Sequence, residues 1–130
     1  LFPEALSCLQ RLQQQGYWLA IATGKGRSGL DKAIAQTDTQ AFWLETACAS
    51  EYPSKPAPDM VLALCDRLGV EPEEAVVVGD TTHDLEMAAN AKIRAIAVTT
   101  GAHTAQQLSA LPHVAMLNSL AELPDVLETL

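Results

Sequence analysis

The sequence predicts an α/β fold: a doubly wound, Rossmann-like parallel sheet with helices on both faces. Three observations carry that prediction. Short apolar runs recur at residues 17–22, 42–48, 75–78, 93–98 and 114–117. Each run is nearly continuous rather than alternating, as expected of strands covered on both faces. Segments with apolar residues at helical spacing separate the runs, and strands that alternate with helices pair in parallel through crossovers.

The elements follow in order. After Pro3, Leu6, Leu9 and Leu12 recur with Ala5 and Cys8 at helical spacing, and Gly16 is placed to end that helix. The first strand, 17–22, ends at polar Thr23; Leu30, Ala33 and Ile34 then restart a helix, and 42–48 is a weaker strand. A proline-rich loop, Pro53-Ser54-Lys55-Pro56-Ala57-Pro58, precedes a helix with Val61, Leu64, Cys65 and Leu68 on one face, closed by Gly69. Residues 75–78 read as the clearest buried strand, and it ends in Gly79-Asp80. Leu85, Ala88 and Ala89 mark the next helix, 93–98 a further strand, and the remainder a helix near Gln106, a strand at 114–117 and a closing helix from Leu120.

Composition sets the class of partner. At 130 residues the chain is one domain by size, and a domain this long buries roughly two thirds of the surface its unfolded chain exposes. Hydrophobic residues make up 48% and charged residues 18%, the balance of an ordinary globular protein. The net charge of −8 leaves no basic stripe to neutralise nucleic-acid phosphates or hold an anionic membrane, so neither is an expected partner. Cys8, Cys48 and Cys65 are odd in number, lack CxxC spacing and sit among apolar neighbours, which predicts buried reduced thiols and a cytoplasmic location. No signal peptide is recognisable, and the chain opens on Leu1, which reads as a processed, truncated or partial sequence.

In an open α/β sheet, ligands bind at the carboxyl ends of the strands. There the sequence places Thr23-Gly24 after the first strand, Lys55 after the second, and Asp80 after the third with Asp84 four residues on. A hydroxyl and exposed N–H groups can bind phosphoryl oxygens, an ammonium can balance their charge, and a carboxylate can hold Mg²⁺ against the same phosphate. Each residue alone also has a plain structural reading. Thr23 can cap a turn, Lys55 can be a solvated loop lysine whose removal leaves the fold intact, and Asp84 can favour its helix N-terminus. Asp80 gains little from packing after Val-Val-Val-Gly, so its carboxylate has the stronger claim to function.

Order and spacing raise the set above its members. Ile21-Ala22-Thr23-Gly24-Lys25, Ser54-Lys55-Pro56-Ala57-Pro58 and Val78-Gly79-Asp80-Thr81-Thr82-His83-Asp84 resemble three ordered motifs of the haloacid dehalogenase superfamily. The branch they resemble is the phosphoglycolate-phosphatase-like one with a helical cap. Leu1-Phe2-Pro3-Glu4 is similar to the lead-in of that family's core helix, so the resemblance covers essentially the whole of residues 1–130, as part of a core domain.

The resemblance implies a Mg²⁺-dependent phosphatase acting on a small phosphorylated metabolite. Thr23, with Gly24, would bind the transferring phosphoryl, Lys55 would neutralise phosphate and nucleophile, and Asp80 would ligate the metal. Asp84 would support the metal or Lys55. Dehalogenases of the same family usually carry a smaller polar residue at the Asp80 position, so Asp80 points to phosphatase chemistry. The family's nucleophile and general acid/base form an Asp-x-Asp pair after an N-terminal strand. No two aspartates here are spaced so, and in the resembling family that motif and the cap precede the position of Leu1. The resemblance therefore implies that a missing N-terminal segment of the same protein supplies the nucleophile, on a strand between 17–22 and 75–78.

Two other readings compete. Gly24-Lys25-Gly26-Arg27-Ser28-Gly29 satisfies G-x-G-x-x-G, with Glu45 about 20 residues on, as in dinucleotide-binding dehydrogenases. That fingerprint normally follows an opening strand, whereas a helix precedes this one, and it leaves Lys55, Asp80 and Asp84 unexplained. A non-catalytic domain that keeps the fold and binds phosphate or a partner is the other alternative. His83, His103 and His113 are scattered without zinc-ligand spacing and read as surface or supporting residues, His83 being placed to face the site. Lys25 and Arg27 are candidates to meet anionic groups of a substrate.

Overall fold

The computed structural model describes residues 3–101 and 103–130; Leu1 and Phe2 of the predicted lead-in lie outside the described residues. Helix α1 (Pro3–Gln14) leads to β1 (Leu19–Thr23), α2 (Arg27–Thr37), β2 (Trp43–Cys48), α3 (Asp59–Leu68) and β3 (Val76–Gly79). Then come α4 (Thr82–Ala91), β4 (Arg94–Val98), α5 (Ala105–Ser109), β5 (Ala115–Leu117) and α6 (Leu123–Glu128). Short 3₁₀ turns at Gln40–Phe42, Pro72–Glu74 and Leu120–Glu122 lead into β2, β3 and α6. They carry no hydrophobic period long enough to be read from sequence. Gly69 ends α3 at φ 69°, with its N–H on the carbonyls of the last turn, as a residue without Cβ readily does.

All strand pairs are parallel. Alternation along each strand sorts the helices to two faces. Ala20, Ala22, Val77, Ala95 and Ala97 face α3, α4 and α5, where Met60, Leu64, Met87, Leu85 and Leu108 are buried. Leu19, Val76, Ile96 and Leu117 face α1 and α6, against Cys8, Leu12 and Leu123. Cys8, Cys48 and Cys65 are free and buried, as read from sequence, and burial pushes the Cys8 and Cys65 thiols up. No helix of the described residues is long and apolar enough to cross a membrane.

Among the described residues β1 pairs with β2, and β3, β4 and β5 form a separate three-stranded sheet, so the sheet is open between 17–22 and 75–78, where the expected strand of a preceding segment would lie. One expectation needs correction: 75–78 is not the clearest buried strand. That place belongs to β4, whose Ala95, Ile96, Ala97 and Val98 are all buried, while β1 is half-buried throughout and Val78 of β3 is exposed. The physical reason is the open edge of β3. A cleft of about 570 Å³ runs between β1 and β3, lined by Leu19, Ala20 and Ala22 on one side and Val76, Val77 and Val78 on the other. Among the described residues only β4 has a strand on each side, which encloses it more fully than the others.

Candidate active site

The turn from β3 into α4 organises the carboxyl edge of the larger sheet. Thr81 caps α4: its hydroxyl oxygen accepts the Asp84 N–H at 3.2 Å, while Asp84 Oδ2 accepts from the Thr81 N–H at 3.2 Å and hydroxyl at 2.9 Å. This reciprocal pair satisfies backbone donors that a helix N-terminus leaves without intrahelical partners. Asp84 Oδ1 takes the Lys55 ammonium at 2.5 Å. The Asp84 carboxylate is buried, and its close approach to β3 needs a glycine, because a Cβ at Gly79 would overlap the Asp84 side chain. Both readings of Asp84 are thus realised together: it caps its helix and it holds Lys55. With Oδ1 on Lys55 and Oδ2 on Thr81, both carboxylate oxygens of Asp84 are engaged within the fold.

Lys55 reaches this carboxylate from a loop that is itself anchored. Its peptide bond to Pro56 is cis, and the Asn90 side-chain amide on α4 donates to the Pro56 carbonyl at 2.9 Å. Lys55 is therefore held at the end of β3 and is not a freely solvated loop lysine; its side chain is 19% exposed.

Thr23 closes β1 opposite Cys48 of β2. Its hydroxyl oxygen accepts the Lys25 N–H at 3.2 Å, which leaves the hydroxyl proton to donate outward. The loop after β1 is tied to the segment that leads toward Lys55. Ala49 N–H donates to the Lys25 carbonyl at 3.0 Å and Arg27 N–H to Ser50 Oγ at 2.9 Å. The Arg27 guanidinium bonds Glu51 at 2.7 and 3.2 Å, Asp31 at 3.3 Å and Thr46 Oγ1 at 2.8 Å. Arg27 is therefore engaged within the fold, while Lys25 stays exposed and is the one of the two placed to meet an anion.

The hydrogen bonds from Arg27 hold the Glu51 carboxyl below its ordinary value of 4.5. A lowered folded-state value means the pair adds stability above the ordinary range and loses it as pH falls through the folded value. The urea midpoint of the intact protein should exceed that of Glu51→Gln near neutral pH, with a difference that shrinks in acid. A gap independent of pH would refute the ion-pair account.

Asp80 follows β3 directly and is half-buried, and none of the ion pairs among the described residues involves it. The loop after β4 closes on it. A Cβ at Gly101 would overlap the Asp80 carboxylate, and two residues on His103 Nδ1 accepts the Thr82 N–H at 2.9 Å. Sequence reading singled out His83 for this edge, but His83 is exposed, with its ring 6.3 Å from that of His103, and His103 makes the contact. The only sequence signal for Gly101 and His103 was their place at the carboxyl end of the fourth strand. Among the described residues no group of three or more His, Cys, Asp or Glu side chains could hold a metal ion. This bears little on Mg²⁺, which is usually held by one or two carboxylates with waters and substrate phosphate.

The G-x-G-x-x-G stretch does not behave as a dinucleotide fingerprint. There the glycines serve a tight turn and close approach of backbone to ligand and sheet. Here Gly24, Gly26 and Gly29 have no positive φ, and a Cβ at Gly24 or Gly26 would meet nothing within 4 Å.

Comparison with known proteins agrees with this geometry. The family model of haloacid dehalogenase-like hydrolases matches residues 1–98. The chain is 36% identical over 124 residues to "Probable phosphatase IndB" of Dickeya dadantii, covering 94% of this chain and 54% of that protein. It is 34% identical over 117 residues to the pyrophosphatase PpaX of Bacillus velezensis, covering 88% of this chain and 54% of that one. A solved structure of a predicted phosphoglycolate phosphatase from Haemophilus somnus superposes with a TM-score of 0.90 at 23% identity, over 98% of this chain and 57% of that chain, and so shares the fold. The chain spans about half the length of the curated relatives it matches. With its three motifs at the carboxyl ends of β1, β2 and β3, and the family model matched across all three, the chain belongs to the haloacid dehalogenase-like hydrolases.

Proposed function

We propose that the intact protein is a Mg²⁺-dependent phosphatase of small phosphorylated metabolites, to which residues 1–130 contribute Thr23, Gly24, Lys55, Asp80 and Asp84, while a preceding segment supplies the nucleophile and the general acid/base. The observation that carries this reading is the Lys55–Asp84 pair at the end of β3, with Asp80 beside it and the interstrand cleft reaching Asp84. An extended segment seated in that cleft, between β1 and β3, would bring its carboxyl end to the pair. Phosphatases named among the relatives support the reaction class.

In this reading the phosphoryl group sits over the carboxyl edge. Thr23 donates its free hydroxyl proton to one phosphoryl oxygen, helped by the Gly24 backbone, and Lys55 balances the charge of phosphate and attacking carboxylate. Asp84 keeps the ammonium in place. Attack on phosphorus by the first aspartate of the N-terminal Asp-x-Asp breaks the bond to the ester oxygen, which takes a proton from the second aspartate and leaves as the alcohol, giving an aspartyl-phosphate; water, deprotonated by that second aspartate, then cleaves the acyl phosphate to phosphate and the free carboxylate. Asp80 fits a Mg²⁺ site by its chemistry: a hard oxygen donor at a strand end, free of cationic partners among the described residues. When bound there, the ion would neutralise phosphate charge.

Asp80→Asn in the intact protein should weaken Mg²⁺ binding severely and leave the fold unchanged, because the amide is nearly isosteric and breaks no ion pair. Titration with Mg²⁺ in the presence of a phosphate analogue measures it. Equal affinities for the two proteins would remove Asp80 from the site.

A further inference from the structure

We infer that His103 is a positioning residue for the cation site, acting through the Thr82 backbone rather than on any ligand itself. The inference rests on the phosphatase reading above and adds the loop after β4 to the site.

Asp80 hangs on a short connection between Gly79, the last residue of β3, and Thr82, the first of α4. Its neighbour on one side is fixed by the sheet, since Gly79 pairs with Ala97. On the other side Thr81 and Asp84 cap each other, which fixes the helix but not the carboxylate that precedes it. The loop after β4 supplies that restraint at two points. Gly101 lies so close to the Asp80 carboxylate that a methyl group in place of its hydrogen would collide with it. His103 accepts the Thr82 N–H at 2.9 Å, through an Nδ1 that must carry no proton. The chain is held on either side of these two points: Thr104, next to His103, caps α5 in a reciprocal pair with Gln107, and Thr99 N–H donates to the Leu117 carbonyl of β5 at 2.9 Å. A side chain two residues beyond the site thus sets where the Asp80 carboxylate points. Outer-shell partners of metal ligands act in this way, and their loss typically costs about 10–100-fold in metal affinity or activity.

The test uses the intact protein with Mn²⁺, whose binding is read directly by electron paramagnetic resonance without any turnover. His103→Ala should weaken Mn²⁺ binding about tenfold or more. His103→Asn should recover most of that loss, because its amide oxygen can accept the same N–H. Hydrogen exchange of the Thr82 amide should accelerate in His103→Ala and be slowed again in His103→Asn. Gly101→Ala should weaken Mn²⁺ binding as well, by pushing the Asp80 carboxylate aside, and urea midpoints show whether any variant has lost its fold. If Asp80→Asn abolishes binding while His103→Ala binds as the unsubstituted protein does, the positioning role is wrong and the phosphatase reading stands. Equal impairment of the Ala and Asn variants would also overturn it, since the Thr82 bond would not be the cause. Failure of the unsubstituted intact protein to bind Mn²⁺ would overturn both.

Discussion

Residues 1–130 alone should not hydrolyse p-nitrophenyl phosphate in Mg²⁺, whereas the protein extended upstream should turn it over steadily. The expectation follows from what the site residues can and cannot do. Thr23, Lys55 and Asp80 can bind and neutralise a phosphoryl group, but positioning without a nucleophile does not make a covalent intermediate. Of the two carboxylates at this edge, Asp84 is buried and engaged by Lys55 and Thr81, and Asp80 is the one proposed to hold the metal. The same expectation has a structural half. β1 and β3 each pair on one side only, and their other edges face the cleft with backbone N–H and C=O groups unused by any sheet. Such edges invite a strand from elsewhere, so the isolated chain should be less stable than the extended one or self-associate. Assays at matched concentration, with size-exclusion chromatography beside them, measure both halves. Robust turnover by purified residues 1–130 would defeat the proposed mechanism.

Removing Lys55 should reduce kcat of the intact protein by about 10²–10³, the scale for deleting a group that stabilises transition-state charge in a water-poor pocket. Sequence reading expected the fold to be indifferent to this change. The structure reverses that expectation. Asp84 is 7% exposed, and without the ammonium its Oδ1 becomes a buried, unpaired charge. Breaking a buried pair by removing one partner costs about 3–5 kcal/mol, and less where, as here, one member is partly exposed. Lys55→Ala should therefore lose both turnover and urea midpoint. The double variant Lys55→Ala/Asp84→Asn removes the stranded charge and keeps an oxygen for Thr81, so it should regain stability without regaining turnover. That pattern separates the two roles of the lysine. Near-normal kcat in the stable double variant would return Lys55 to a purely structural part.

Sequence alone determined the class of fold, the order of its elements and the residues at the carboxyl edge. The reason is that these depend on local patterns: continuous apolar runs, helical spacing, and polar residues directly after strands. Even so, element ends moved by a residue or two, and the 3₁₀ turns before β2, β3 and α6 went unseen because three residues carry no periodicity. The pairing of strands is not local, and the opening between 17–22 and 75–78 was expected from the family resemblance alone. Nothing in Val76-Val77-Val78 distinguishes a strand with neighbours on both sides from one that borders a cleft, and only the tertiary structure shows that β4, not β3, is the enclosed strand.

The site divides in the same way. Thr23, Lys55, Asp80 and Asp84 could be chosen from sequence because spacing relative to strand ends puts them on one edge. Which of them touch could not be chosen, since the Lys55–Asp84 contact joins residues 29 apart in the chain. Arg27, a candidate for substrate by its place near Thr23, is engaged by Glu51 and Thr46 instead. Gly101 and His103 lie outside the three motifs, and it is crossover packing of β3 beside β4 that lays them against Asp80 and Thr82. Residue identity and local period determined what chemistry the chain carries. Strand order and the close approach of loops, which depend on contacts between distant residues, decided which groups share a charge and which loop lies against the Asp80 carboxylate.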